Sequence, residues 1–296
     1  MNTHCGYVAI IGRPNVGKST LLNTLIRQKI SITSKKPQTT RQNVLGIHTE
    51  DDCQMLFVDT PGLHLNEYRA INRYMNRSAK TALRDVDVVL FLVDRHRWNE
   101  EDDYVADLFK NARGGKVLVI NKIDLVQDKQ SIFPLLQTMQ ERFPSAEIVP
   151  ISAEKNQNLE VLIRVIRDKL PQSPFFYEPN QITDRSERFL VAEIIREKIT
   201  RQLGEELPYA ISIQIDRFEE QDSLTLIEAT IFVEKDGQKK ILIGRKGEKL
   251  KRIGSDARTD IQQLLDKKVM LNTWVKVKSG WSDDERAIRS LGYNEH

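Results

Sequence analysis

Gly12, Gly17, Lys18 and Ser19 occupy the fixed positions of G-x-x-x-x-G-K-S, with Arg13, Pro14, Asn15 and Val16 between them and Thr20 after. The chemistry such a run can do is to hold phosphate. Its glycines let the backbone bend round an oxyanion. Successive amides and the start of a following helix then face the phosphates. Lys18 would reach the β- and γ-phosphates, and the Ser19 hydroxyl would meet Mg²⁺. A glycine-bearing turn that binds nothing is the alternative. The setting speaks against it, because the apolar run Tyr7–Ile11 leads in and Leu21, Leu22, Leu25 and Ile26 lead out at helical spacing.

Further polar clusters follow apolar runs. Leu56–Val58 ends in Asp59-Thr60-Pro61-Gly62, where a strand-end carboxylate could hold magnesium and the Gly62 amide could meet a γ-phosphate. Lys116–Ile120 ends in Asn121-Lys122-Ile123-Asp124. Asp124 could accept two hydrogen bonds from guanine N1–H and N2–H₂, a pair adenine lacks. Lys122 would lay its stem along the base. Ile148–Ile151 ends in Ser152-Ala153-Glu154, whose amides could meet guanine O6. Taken alone, that last run is also an ordinary helix cap. Between the first helix and Asp59 lies a polar loop, Lys35–Asn43, carrying Thr39 and Thr40. A threonine there could reach the same metal.

In this order the five motifs resemble those of the translation-factor-like small GTPases. The resemblance implies a GTP-to-GDP hydrolase that uses Mg²⁺. Lys18, Thr40, Asp59 and Gly62 are its catalytic set, with Thr40 rather than Thr39 on the metal. One departure bears on mechanism. Signalling GTPases carry a water-orienting glutamine after the third motif, and here that position is Leu63. Asn15 resembles an asparagine that, in relatives with an apolar residue there, helps to bind potassium; shaping the loop is its other role. His64 is a neighbouring base candidate, set against a solvated loop histidine.

These residues require a frame. Apolar runs at Tyr7–Ile11, Leu56–Val58, Val86–Val93, Lys116–Ile120 and Ile148–Ile151 alternate with amphipathic stretches at Glu101–Ala112, Ile132–Arg142 and Asn158–Leu170. Such alternation predicts an α/β domain with a mostly parallel sheet and helices on both faces. Three prolines in 171–179 mark a linker. A helix restarts at Asp184, with Phe189, Ile194, Ile195 and Ile199 on its stripe. Ala210–Phe218 and Leu224–Glu234 alternate as strands. Then come Gly244-Arg245-Lys246-Gly247, a helix expected at Ser255–Lys267 and a strand at Lys268–Lys278.

This second order resembles the KH RNA-binding module in its prokaryotic, α+β arrangement. In such modules a G-x-x-G loop clamps about four nucleotides. Arg245 and Lys246 would meet phosphates, Lys249, Lys251 and Arg252 would extend the track, and Ile241 and Ile243 would pack under bases. The window 235–252 holds eight basic and two acidic residues, while the whole chain of 296 residues has net charge +3. Charge alone therefore indicates neither nucleic acid nor membrane. Trp281 and Tyr293 of the tail are expected to anchor it rather than stack on bases.

The expected division is a GTP-binding domain at 1–170, a linker at 171–183, the KH module at 184–279 and a tail at 280–296. The pairing resembles a family of bacterial ribosome-assembly GTPases. What it implies is a monomer whose KH module binds the 3′ end of small-subunit (16S) rRNA in 30S assembly, with peripheral inner-membrane contact also known in the family. The rival is a signalling GTPase whose second domain docks a protein or a membrane surface. A P-loop kinase is disfavoured by Asp124 and by the lack of an acceptor site. Cys5 and Cys53 form no disulfide framework and show no metal spacing. With no signal-peptide pattern and no apolar run near about 20 residues, a cytoplasmic location is expected.

Overall fold

The computed structural model describes residues 3–34, 40–63, 70–95, 98–128, 130, 132–203 and 211–291. The chain divides into two compact units: it passes from the first to the second after Asp184, and of the earlier described residues 32–34 and 70–73 group with the second. Among the described residues no helix is long and apolar enough to cross a membrane.

The first unit is built on a six-stranded sheet. Its strands are β1 (His4–Ile11), β2 (Val44–Glu50), β3 (Cys53–Asp59), β4 (Val88–Asp94), β5 (Gly115–Asn121) and β6 (Glu147–Pro150). Their order is β2-β3-β1-β4-β5-β6, and only the β2–β3 pair is antiparallel. Val88 to Val93 are buried without alternation, as a strand covered on both faces must be. Helices α1 (Lys18–Ile26), α3 (Glu100–Asn111), α4 (Ile132–Arg142) and α5 (Leu159–Arg167) complete the unit, together with α2 (Ala70–Thr81) from residue 74 onward. On one face Val89, Phe91, Val93 and Leu118 pack against Val105 and Phe109 of α3 and Met139 of α4. Leu63 is fully buried in this same cluster.

β2 and α2 are absent from the sequence expectation. Val44-Leu45-Gly46-Ile47 has no clean two-residue alternation because its first four residues are all buried. The proline-rich stretch after α5 is bonded to the β2–β3 edge. Gln54, wholly buried, accepts from the Phe176 and Tyr177 amides at 2.9 and 3.1 Å and donates to Tyr177 O at 2.9 Å. Further on, Ile47 N donates to Ile182 O at 2.8 Å and Thr183 Oγ1 donates to Leu45 O at 2.6 Å.

The second unit contains α6 (Glu187–Gln202), β7 (Ser212–Glu220), β8 (Thr225–Val233), α7 (Asp236–Ile243), α8 (Glu248–Leu265), β9 (Val269–Val277) and α9 (Glu285–Ser290). Its sheet runs β7-β8-β9, antiparallel then parallel. Val191, Ile195 and Ile199 of α6 meet Ile227 and Ile231 of β8, Leu242 of α7 and Ile253, Ala257 and Ile261 of α8 in one core. Helix α8 starts seven residues before the expected Ser255. Its apolar stripe runs through Gly254 without a break, with Leu250 and Ile253 on the same core as Ala257 and Ile261. Trp281 is fully buried, and Ser282 Oγ donates to Glu234 at 2.6 Å, so the tail is anchored there. Tyr293 lies outside the described residues.

Candidate functional site

The phosphate-binding run leaves β1 at the carboxyl end of the sheet, where open α/β sheets place their ligands. Gly17 opens α1 with φ 104°, and a Cβ there would stand 2.4 Å from Asn121 Nδ2. Only glycine permits that approach. Asn121 holds three strands of backbone together. Its Nδ2 donates to Val16 O at 2.8 Å, and its Oδ1 accepts from Lys122 N at 2.8 Å and Ala153 N at 3.0 Å. Gly62 approaches the same loop, its Cβ position lying 3.0 Å from Pro14. Asn15 sits at φ 65°, a left-handed conformation that asparagine tolerates better than most residues.

Lys18 is buried. Its Nζ donates to Gly12 O at 2.9 Å and Arg13 O at 3.0 Å. Burial pulls its ammonium down to about 8. Ahead of it three hydroxyls converge on one carboxylate oxygen, Asp59 Oδ2: Ser19 at 2.8 Å, Ser31 at 2.9 Å and Thr40 at 3.3 Å. Ser19 Oγ and Thr40 Oγ1 are 2.8 Å apart. Burial pushes the Asp59 carboxyl above its ordinary value, and Lys18 and the hydroxyls oppose the rise. Asp59 Oδ1 is buried without a partner. An orphaned carboxylate oxygen beside two hydroxyls is an all-oxygen donor set that suits a hard cation such as Mg²⁺. Among the described residues no cluster of three or more His, Cys, Asp or Glu offers another metal site.

Sequence reasoning did not single out Ser31. No motif contains it, and its place is set by Asn23 on α1. The Asn23 side chain accepts from Ile30 N and Ser31 N and donates to Ser31 O at 2.7 Å. Thr39 and His64 lie outside the described residues.

Beyond Asn121, Ser152 Oγ donates to Asp124 Oδ1 at 2.5 Å and fixes that carboxylate. Lys122 spans Asn15 O and Asp94 Oδ2, both at 2.8 Å. The Ser152 amide donates to Gln157 O and the Ala153 amide to Asn121, so both are already committed. Glu154 follows in the same turn.

In the second unit, Gly244 ends α7 at φ 74°, ψ −176°, and Gly247 opens α8 at φ 82°. A Cβ at Gly244 would stand 2.7 Å from that of Lys249. Arg245 and Lys246 are exposed at the tip, and Lys251 and Arg252 are exposed on the first turns of α8, with Lys249 half-buried. Leu242 is core and Ile243 packs against it, whereas Ile241 is exposed. Of the two isoleucines expected under bases, Ile243 is therefore engaged with the core.

Known proteins agree with both units. A 50S ribosome-binding GTPase family model matches residues 7–122, and a KH domain model matches residues 206–282. GTPase Era of Pseudomonas putida W619 is 58% identical over 99% of this chain and 98% of its own length. Era of Pseudomonas fluorescens Pf0-1 is 57% identical over the same shares. Among solved structures, Era in complex with MgGDPNP and nucleotides 1506–1542 of 16S ribosomal RNA superposes with TM-score 0.96 at 37% identity, covering 99% of this chain and 100% of that one. An Aquifex aeolicus Era variant bound to GDP.AlF4⁻ superposes with TM-score 0.94 at 37% identity, over the same shares. Near-full-length identity above half, with both modules matched in order, makes this chain a member of the Era family of GTPases.

Proposed function

We propose that the chain is a GTP-hydrolysing switch whose second unit grips the single-stranded 3′ end of 16S rRNA and serves assembly of the 30S subunit in the cytoplasm. The likeness over the full chain to an Era bound to MgGDPNP and that rRNA segment carries the reading. The site chemistry supports it. Asp124, held by Ser152, accepts the N1–H and N2–H₂ of guanine, while an adenine would leave that carboxylate unpaired. Lys122 lies along the base. Lys18 leaves the Gly12 and Arg13 carbonyls for the β- and γ-phosphates when nucleotide enters. Ser19, Thr40 and Asp59 would hold Mg²⁺, which when bound neutralises charge on the phosphates.

Leu63 is buried in the core and cannot orient a water. Lys18 and the loop amides, Gly62 among them, face the charge that develops on the transferring phosphoryl group. Asn15, at φ 65° in the phosphate loop, either shapes that loop or helps to bind potassium beside the phosphates. Potassium sensitivity lost in Asn15→Ala would support the potassium role, and sensitivity equal to the parent's would remove it.

In the second unit, Arg245, Lys246, Lys249, Lys251 and Arg252 have no ion-pair or hydrogen-bond partner for their side chains among the described residues. Cations left unpaired on a glycine-bounded tip are placed to neutralise phosphates. The test is titration with a short single-stranded RNA copying the 16S 3′ end, on protein loaded with GDP or with a non-hydrolysable GTP analogue, repeated with Arg245→Asp plus Lys246→Asp. Tighter binding in the GTP state, lost in the double variant, is expected. Equal affinity in the two states would remove the switch and leave an RNA-binding GTPase. No binding in either would favour a second unit that docks a protein or a membrane surface.

A further inference from the structure

Asn121 fastens the later half of the phosphate loop through Val16, and a separate contact fastens the earlier half. Arg13 Nε donates to Asp102 Oδ2 at 3.0 Å across 89 residues of sequence. Asp102 is the third residue of α3 and its side chain is wholly buried. It is itself held rigidly. Its Oδ2 also accepts from Asn99 N at 3.1 Å, and the Asn99 side chain accepts from Asp102 N at 3.1 Å. Its other oxygen is buried with no partner, so Arg13 is the cation that compensates this charge. Burial pushes the Asp102 carboxyl up, and Arg13 pulls it back. The Arg13 carbonyl in turn accepts from Lys18.

We propose that Asp102 is a positioning residue for the phosphate loop: by fixing the Arg13 side chain from the first turn of α3, it holds the Arg13–Asn15 backbone in the curve that a β-phosphate needs. It touches neither nucleotide nor metal. The ring of amides round an anion is only as rigid as its two ends. One end is tied to the base-reading segment through Asn121, the other to α3 through Asp102. The proposal rests on the nucleotide site described above.

The experiment compares GDP with GMP, because GMP keeps the base and α-phosphate contacts and lacks the β-phosphate. Dissociation constants are read by competition against a fluorescent GDP for the full chain and for Asp102→Asn, Arg13→Ala, their double variant and Asn99→Ala. Asp102→Asn keeps an acceptor for the Asn99 amide and loses the charge. A hydrogen bond to a charged group corresponds to roughly a tenfold effect or more. The expected result is GDP binding weakened about tenfold in both single variants, GMP binding within about twofold of the parent, and a double variant no worse than either single one. Asn99→Ala, which removes a helix cap and spares Arg13, should lower thermal stability and leave the GDP-to-GMP ratio unchanged. Should Asp102→Asn not fold, Arg13→Ala reads the same contact from its more exposed side. An unchanged ratio in the Arg13 and Asp102 variants, or an equal change in Asn99→Ala, overturns the proposal. A parent that binds GDP no better than GMP overturns the phosphate-loop site itself, and the pairing with it.

Discussion

Ser31 Oγ donates to Asp59 Oδ2 at 2.9 Å, on the same oxygen that receives Ser19 and Thr40. A residue outside every motif thus shares the carboxylate that the motifs serve. Ser31→Ala removes a donor from a buried, charged acceptor, a loss of about 1.5–3 kcal/mol. The Mg²⁺ concentration for half-maximal GTP hydrolysis should rise several-fold, with folding retained. A variant with parental Mg²⁺ dependence would show that Ser31 is merely packed there.

Asp124→Asn turns an acceptor pair into one acceptor and one donor. GTP should bind at least about a hundredfold more weakly, since a buried polar group loses its partner. A xanthine nucleotide, which offers a carbonyl where guanine has its amino group, should gain affinity. Competition with both nucleotides measures the exchange, and loss of both together would speak against Asp124 as the base reader.

The lowered ammonium of Lys18 predicts a pH effect of defined sign. Without nucleotide it loses its proton near pH 8, and phosphates favour the protonated form. GDP affinity should be flat below that value and fall above it, by roughly tenfold between pH 7 and pH 9. For stability the sign is opposite. A lysine depressed in the folded state destabilises it below about pH 8 and ceases to do so as pH climbs toward its unfolded value. Isothermal binding of GDP and thermal unfolding of the nucleotide-free protein, both against pH, should slope in opposite directions.

Gly244→Ala forces a side chain into a conformation at φ 74° and against the Lys249 Cβ. Strain of that kind costs about 1–3 kcal/mol. The melting temperature should fall accordingly, and RNA affinity with it, while GTP turnover by the other unit stays at the parental rate. An unaltered melting temperature would show that the turn relaxes freely.

Gln54→Leu leaves the Phe176 and Tyr177 amides and the Tyr177 carbonyl without their partner. Buried unpaired groups cost about 1–3 kcal/mol each, less where water can reach them. Limited proteolysis should cut the variant faster between residues 173 and 180, with peptide mapping as the readout. Equal cutting rates would place the hold on this stretch elsewhere.

Much of this molecule is legible in its sequence because the motifs are contiguous. Asp59, Asn121 and Ser152 each follow an apolar run, and those runs are β3, β5 and β6. The KH order reads likewise from alternation and two glycines. What escaped is what no local pattern encodes. Asp102 reaches Arg13 from 89 residues away. Ser31 is placed by Asn23 on another element. The first four residues of β2 are all buried, so its strand period is hidden. α8 begins before Ser255 because Leu250 and Ile253 sit on the same core as Ala257 and Ile261, a continuity that Gly254 hides in the sequence. A spacing rule sees neighbours along the chain, and these arrangements depend on neighbours in space.

β2 is the outermost strand of its sheet, and Ile182 and Thr183 are bonded along its open side. The guard is therefore made last. During synthesis the first 170 residues emerge with every motif for nucleotide present, yet with a bare strand edge, until the chain has grown past Thr183. A bare edge is a template for another chain, and domains fold as they leave the ribosome. Until Ile182 and Thr183 are in place, the open side of β2 stays available to such pairing.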